Sequence, residues 1–200
     1  DQDNVDLLVC QFSSIPDRTS FILGNSDNSP VPEMIRCARL LEREGCKYIV
    51  IPCNTASYFF DEVQSRVNSK IINIIEETSK FVLNDNPKKV GLMATDGTIK
   101  SGAYHKFIGN DLLFVPDDVY QAKVMNIIYD KVKKNKEVSL VEFEEILDYF
   151  RENGCEKIIL GCTELSVIYS YLKVNYSDVV DSLTVLARKA VELSGKSLKE

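Results

Sequence analysis

The chain has 200 residues, 44% of them hydrophobic and 27% charged, with 24 lysines and arginines against 30 aspartates and glutamates. That is an ordinary globular composition, long enough to bury a core without disulfide or metal staples. A net charge of −6 argues against the basic surface that nucleic-acid binding requires, and no apolar run approaches the roughly 20 residues of a membrane helix.

Short β-branched runs alternate with longer helical patterns along the chain. Residues 5–12 read as a strand, and a polar loop at 24–30 leads to a helix at 33–44. A strand at 48–51 and a helix at 57–67 come next, then a strand at 71–74 and a helix at 76–84. The second half gives strands at 90–94, 112–115, 158–160 and 178–180. Its helices are expected at 99–107, 120–133, 140–153 and 183–194. The strands are nearly continuous apolar runs, the pattern of a parallel sheet buried on both faces. Alternation of this kind predicts an α/β fold with right-handed crossovers.

Two segments repeat. GCKYIVIPCNTAS at 45–57 and GCEKIILGCTELS at 154–166 align without a gap. Gly45 pairs with Gly154, Cys46 with Cys155, Ile49 with Ile158, Cys53 with Cys162 and Ser57 with Ser166. The offset is 109 residues (154 − 45, 162 − 53). Each segment follows a charged helical stretch, LLERE or YFREN. The same offset carries 112–115 onto 3–6 and 178–180 onto 69–71, whereas 90–94 falls before residue 1. We therefore expect two pseudo-symmetric lobes, 1–87 with 182–200 and 88–181. The first lobe should lack its opening strand, which implies a segment upstream of Asp1.

The six cysteines are Cys10, Cys37, Cys46, Cys53, Cys155 and Cys162. With no C-x-x-C and a single histidine, His105, a zinc site is not expected. The thiols read as reduced, in a cytoplasmic protein. Cys10, Cys37, Cys46 and Cys155 fit the role of small buried apolar residues, and His105 that of a helix-surface residue. Cys53 and Cys162 differ, because each stands where a parallel strand ends and a helix begins. That carboxyl edge is where ligands bind in open α/β sheets. The positive end of a helix favours thiolate over thiol and can seat a carboxylate. Asn54, Thr55 and Thr163 add short donors there. Thr95 and Thr98 flank the turn signal Asp96-Gly97 and can cap the next helix, bind a ligand, or both. Glu164 suits a first helical turn or the orientation of a neighbour. Two facing thiols suit inversion of a stereocentre, one removing a proton from a carbon and the other delivering one to the opposite face.

PCNTA together with GCTE resembles the aspartate/glutamate racemases that work without pyridoxal phosphate. IPDRTSFILG (15–24), CNTASYFFDEVQ (53–64), ATDGTIKSGAY (94–104) and GCTELS (161–166) are more similar to the aspartate racemase branch than to glutamate racemases. The resemblance implies two four-stranded α/β lobes with the site between them, usually in a homodimer, and no cofactor. It makes Cys53 and Cys162 the catalytic bases, with Asn54, Thr55, Thr98 and Thr163 holding the amino-acid end of the substrate. Arg18 and Lys133 match cations placed for the side-chain carboxylate. Ser57 stands where the family usually carries His and joins the substrate-binding set; Leu186 replaces a second family His. The family's opening strand and Gly-Gly loop have no counterpart in this chain. The implied partner is a small amino-acid substrate, aspartate or glutamate, with neither nucleic acid nor membrane. A hydantoin or maleate isomerase of the same superfamily and a non-catalytic dicarboxylate binder are the alternatives.

Overall fold

The structure, a computed structural model, describes residues 4–198. In chain order its elements are α1 (Arg18–Ile22), α2 (Val31–Arg43), β1 (Tyr48–Val50), a 3-10 helix (Thr55–Phe59), α3 (Phe60–Gln64), β2 (Lys70–Ile72) and α4 (Ile74–Leu83). Then come β3 (Val90–Ala94), α5 (Asp96–Lys100), α6 (Ala103–Ile108), β4 (Leu113–Phe114) and α7 (Asp118–Met125). A π-helical stretch (Asn126–Lys131) and a 3-10 turn (Val132–Lys134) follow. The chain continues through α8 (Leu140–Glu152), β5 (Lys157–Gly161), α9 (Thr163–Tyr171), β6 (Val179–Asp181) and α10 (Ser182–Leu193).

All pairing is parallel. One sheet has the order β4-β3-β5-β6 and the other joins β1 to β2. β3 is buried at every residue, and its side chains alternate between two cores: Met93 enters one with Phe143, Leu147 and Phe150, and Leu92 the other with Ile75, Tyr104 and Leu186. Period-2 alternation between two apolar faces is what a sheet covered by helices on both sides demands. Gly91 is part of that packing, since a Cβ there would lie 2.5 Å from Cδ1 of Phe150. α10 packs on α4 and β1.

The repeat is structural. α2 and α8 start at Val31 and Leu140 and end at Arg43 and Glu152. β1 and β5 start at Tyr48 and Lys157, and β2 and β6 at Lys70 and Val179. Each pair is 109 residues apart (140 − 31, 152 − 43, 157 − 48, 179 − 70). Gly45 and Gly154 both take positive φ, 85° and 80°, where each helix ends.

The strand expected at 5–12 does not form. Leu7 and Val9 are each 73% exposed, and the backbone is irregular. An apolar run becomes a strand only where a neighbour accepts and donates its backbone hydrogen bonds. None does here: β1 pairs only with β2 among the described residues. An apolar groove of about 650 Å³ separates 7–12 from β1 and α2. The first sheet therefore has two strands, fewer than the expected lobe. Position 3, onto which the repeat carried the start of 112–115, lies outside the described residues.

Helix details differ for local reasons. The stretch expected at 57–67 begins as a 3-10 helix because Asn54, its N-cap, commits its side chain elsewhere and makes no cap bond. The helix expected at 99–107 breaks at Gly102, whose φ of 65° opens α6. The helix expected at 120–133 loosens into the π stretch after Met125. α1 was not expected; Asp17 nucleates it by accepting the backbone N–H of Ser20 at 2.8 Å. α9 was implied only by the strand-end cysteine before it. Of the four cysteines expected inside, Cys155 alone is buried, while Cys10, Cys37 and Cys46 are partly exposed.

Candidate active site

A cavity of about 60 Å³ opens where β1, β3 and β5 end. Its wall includes Arg18, Cys53, Asn54, Thr55, Lys133, Cys162 and Thr163, so seven of the nine residues singled out from the sequence meet there. Thr98 lies just behind it, its hydroxyl 2.8 Å from that of Thr55. Ser57 is not on the wall; its N–H closes a turn on the carbonyl of Asn54 at 3.0 Å. Asp17, Thr19, Pro52, Thr95, Tyr129 and Glu164 complete the lining.

The two sulfurs have different surroundings. Cys53 is partly exposed, and Nη2 of Arg18 lies 3.9 Å from its Sγ. Arg18 is fixed by donating to the carbonyl of Pro16 at 3.1 Å. Burial works against the guanidinium's charge, but Cys53, Asp17 and Tyr129 together prevail, holding Arg18 above its ordinary pKa. Cys162 is buried and caps α9, donating from Sγ to Oε2 of Glu164 at 2.9 Å. Burial, then the Glu164 charge and this hydrogen bond, push the Cys162 thiol well above its ordinary range. The helix-end expectation of a depressed value is thus overturned at Cys162: desolvation and a neighbouring anion exceed the helix dipole.

The second cation comes from the π stretch and the turn behind it. Lys133 Nζ sits 3.6 Å from Oδ2 of Asp17, 4.0 Å from Oε1 of Glu164 and 3.6 Å from the ring centroid of Tyr129. Burial opposes its charge, and Tyr129, Glu164 and Asp17 together raise its pKa. Tyr129 donates to Oδ2 of Asp17 at 3.3 Å. Asp17 is itself held below the ordinary carboxylate range: burial opposes this, and the Ser20 N–H and Lys133 prevail. π segments recur at functional sites because the extra residue per turn redirects side chains.

Behind the sulfurs lie two buried networks. Thr55, Thr95 and Thr98 form a hydroxyl triangle with edges of 3.1, 2.8 and 3.1 Å, and Thr19 donates to Thr95 at 3.3 Å. The other network has a fixed polarity. The carbonyl of Leu160 can only accept, so Ser182 donates to it at 2.7 Å. Ser182 therefore accepts from Nδ2 of Asn54 at 2.9 Å, and Oδ1 of Asn54 accepts from the hydroxyl of Tyr104 at 2.7 Å. That leaves one Nδ2 hydrogen of Asn54 uncommitted. Gly97 lets α5 approach α1, because a Cβ there would stand 2.8 Å from the Thr19 backbone.

Asp17 and Tyr129 were missed from the sequence. Asp17 had a readable signal, an acidic residue three before Ser20 at a helix start. Tyr129 had none, since an α-helical register would not set its face by the π stretch. Leu186, where a histidine was weighed, is buried in the core under α10.

The sequence matches the family Asp/Glu/Hydantoin racemase over residues 1–190. The fold is similar to that of Picrophilus torridus aspartate racemase, with a TM-score of 0.85 and 30% identity, over 100% of this chain and 84% of that one. Relatives include the broad specificity amino-acid racemase RacX of Bacillus subtilis, 27% identical over 76% of this chain, and the glutamate racemase of Corynebacterium glutamicum, 25% identical over 84%. The chain spans 66% of the length of each of these two relatives. Paired thiols at the ends of repeated strands and a match over nearly the whole chain lead to one conclusion: this chain belongs to the Asp/Glu/hydantoin racemase family.

Proposed function

We propose that the protein racemises an acidic amino acid, aspartate in preference to glutamate, by two-base proton transfer between Cys53 and Cys162. The single observation that carries this reading is the shared cavity, in which both thiols stand with two cations, Arg18 and Lys133. The space holds on the order of five waters, the scale of a small metabolite.

In this reading one sulfur removes the Cα proton as a thiolate, and the other, as a thiol, delivers a proton to the opposite face. The reverse reaction exchanges the roles, and the protein's own sulfurs carry both protons without a cofactor. Cys53 has a cationic neighbour suited to a negative sulfur, and Cys162 has a carboxylate that accepts its S–H. Cys162 accordingly begins as the thiol. Arg18 and Lys133 bind the substrate carboxylates, Arg18 with its planar fork. The anions Glu164 and Asp17 flank the place of the substrate ammonium. The free Asn54 N–H and the Thr55 and Thr163 hydroxyls stabilise charge developing on the α-carboxylate as the carbanion forms. Thr98 acts through Thr55, and Ser57 supports the Asn54 turn.

Solvent exchange tests the reading. Incubated with L-aspartate or L-glutamate in deuterated buffer, the protein exchanges Cα–H and erases optical rotation. Cys53→Ser and Cys162→Ser each abolish racemisation. Turnover of a hydantoin or maleate without exchange of either amino acid would replace this reading with the isomerase one. Binding of dicarboxylates without any turnover would leave only a binder.

A further inference from the structure

Outside the cavity, two more thiols meet. Cys10, in the irregular segment, and Cys37, on α2, bring their sulfurs to 2.8 Å, and Cys37 Sγ also lies 3.5 Å from the carbonyl of Cys10. That separation is well inside ordinary non-bonded contact and somewhat outside the bonded distance of about 2.05 Å. The approach does not rest on the sulfurs alone. Two residues on, the ring of Phe12 is covered by the guanidinium of Arg36 at 4.1 Å from its centroid, which holds the same segment to the same helix. Both cysteines line the 650 Å³ groove beside β1, a space of the size that admits small ligands. Neither is buried.

We propose that Cys10 and Cys37 form a thiol–disulfide modification site, oxidised by a low-molecular-weight disulfide that enters along this groove. The S–H of Cys37 points at Cys10 Sγ, and burial and then the hydrogen bond to Cys10 push the Cys37 thiol up to about 12. Cys37 thus stays protonated while Cys10 attacks. The Cys10 thiolate displaces one thiolate from glutathione disulfide and forms a mixed disulfide. Cys37 then passes its proton to the second leaving sulfur as it displaces it. Two protein thiols and one glutathione disulfide become one protein disulfide and two glutathiones; the protein is oxidised and the glutathione reduced. The bond ties segment 7–12 to α2 and remodels a groove whose far end is lined by Arg18 and Cys53.

The test is independent of any catalytic reading. The intact protein is equilibrated with graded ratios of oxidised to reduced glutathione, quenched by alkylation, digested without reduction and read by mass spectrometry. The expected result is a peptide linked through Cys10 and Cys37, formed at least tenfold faster in the native protein than in urea, because proximity raises the effective thiol concentration. Cys46→Ser retains the link, whereas Cys10→Ser and Cys37→Ser lose it. The oxidised protein melts about 5 °C or more higher, as a closed loop of this length predicts. Six alkylated thiols at every ratio, a link through any other pair, or equal rates in the native and unfolded chains would overturn the proposal.

Discussion

Tyr104→Phe removes a single oxygen and tests the fixed-polarity network under Cys53. Tyr104 is fully buried and Asn54 only 2% exposed, so no water replaces the lost hydroxyl. Oδ1 of Asn54 loses the donor at 2.7 Å. A buried acceptor stranded in this way costs about 1–3 kcal/mol. For a chain of this size that lowers the melting temperature by about 2–4 °C per kcal/mol. The freed amide can also rotate away from Ser182, so its uncommitted N–H is no longer fixed. If the whole penalty appears in the transition state, kcat/KM for the amino acid falls by between about 5-fold and about 160-fold. Thermal unfolding of Tyr104→Phe, Asn54→Ala and the double variant, with racemisation measured on each, separates the terms. The single variants should be non-additive by at least about 0.5 kcal/mol. A wild-type melting temperature in Tyr104→Phe, with strict additivity in the double variant, would refute the reasoning.

Three other outcomes follow from the geometry. Gly97→Ala places a Cβ 2.8 Å from the Thr19 backbone, forcing α1 and its Arg18 outward. Stability drops by about 1–3 kcal/mol, and KM for the acidic substrate rises more than kcat falls; unchanged steady-state constants would count against Arg18 as a carboxylate ligand. Burial and then the Glu164 anion keep Cys162 protonated; Glu164→Gln removes the anion, so that thiol ionises at lower pH. Alkylation of the Cys162 peptide across a pH series should shift its midpoint downward, and a midpoint that stays or rises contradicts the assignment. Arg151 grips Asp178 through two bonds of 2.7 and 3.3 Å. Burial opposes ionisation of Asp178, and Arg151 overcomes it, holding the pKa below 3.8. This stability is present above the unfolded-state value and lost as pH falls through the depressed folded one. Arg151→Met should therefore flatten the acid limb of a stability–pH curve measured by urea unfolding.

Some of this architecture was readable and some was not, for physical reasons. Cys53 and Cys162 declared the repeat, and the repeat placed α2 against α8, β1 against β5 and β2 against β6, because duplicated apolar patterns fold alike. Residues 5–12 misled, since hydrophobicity alone does not supply a neighbouring strand. The site's cations were found only through a family resemblance; Lys133 sits in a charge run that reads as solvated surface, and its side chain is still 33% exposed. The unlike surroundings of the two sulfurs were invisible. Both follow a strand and precede a helix, and only folding brings Arg18 to one and buries the other beside the partly exposed Glu164.

The triangle of Thr55, Thr95 and Thr98 has a further consequence. Thr95 accepts from the Thr19 hydroxyl and from the Thr98 N–H, so its own hydrogen goes to Thr55 or to Thr98, and the remaining Thr55–Thr98 bond can run either way with every oxygen in place. The wall keeps one choice of polarity: the Thr55 hydroxyl either donates to Thr98 or accepts from it. In the second case its own hydrogen can turn toward the cavity on the timescale of a hydroxyl rotation, a movable donor for the proposed racemisation.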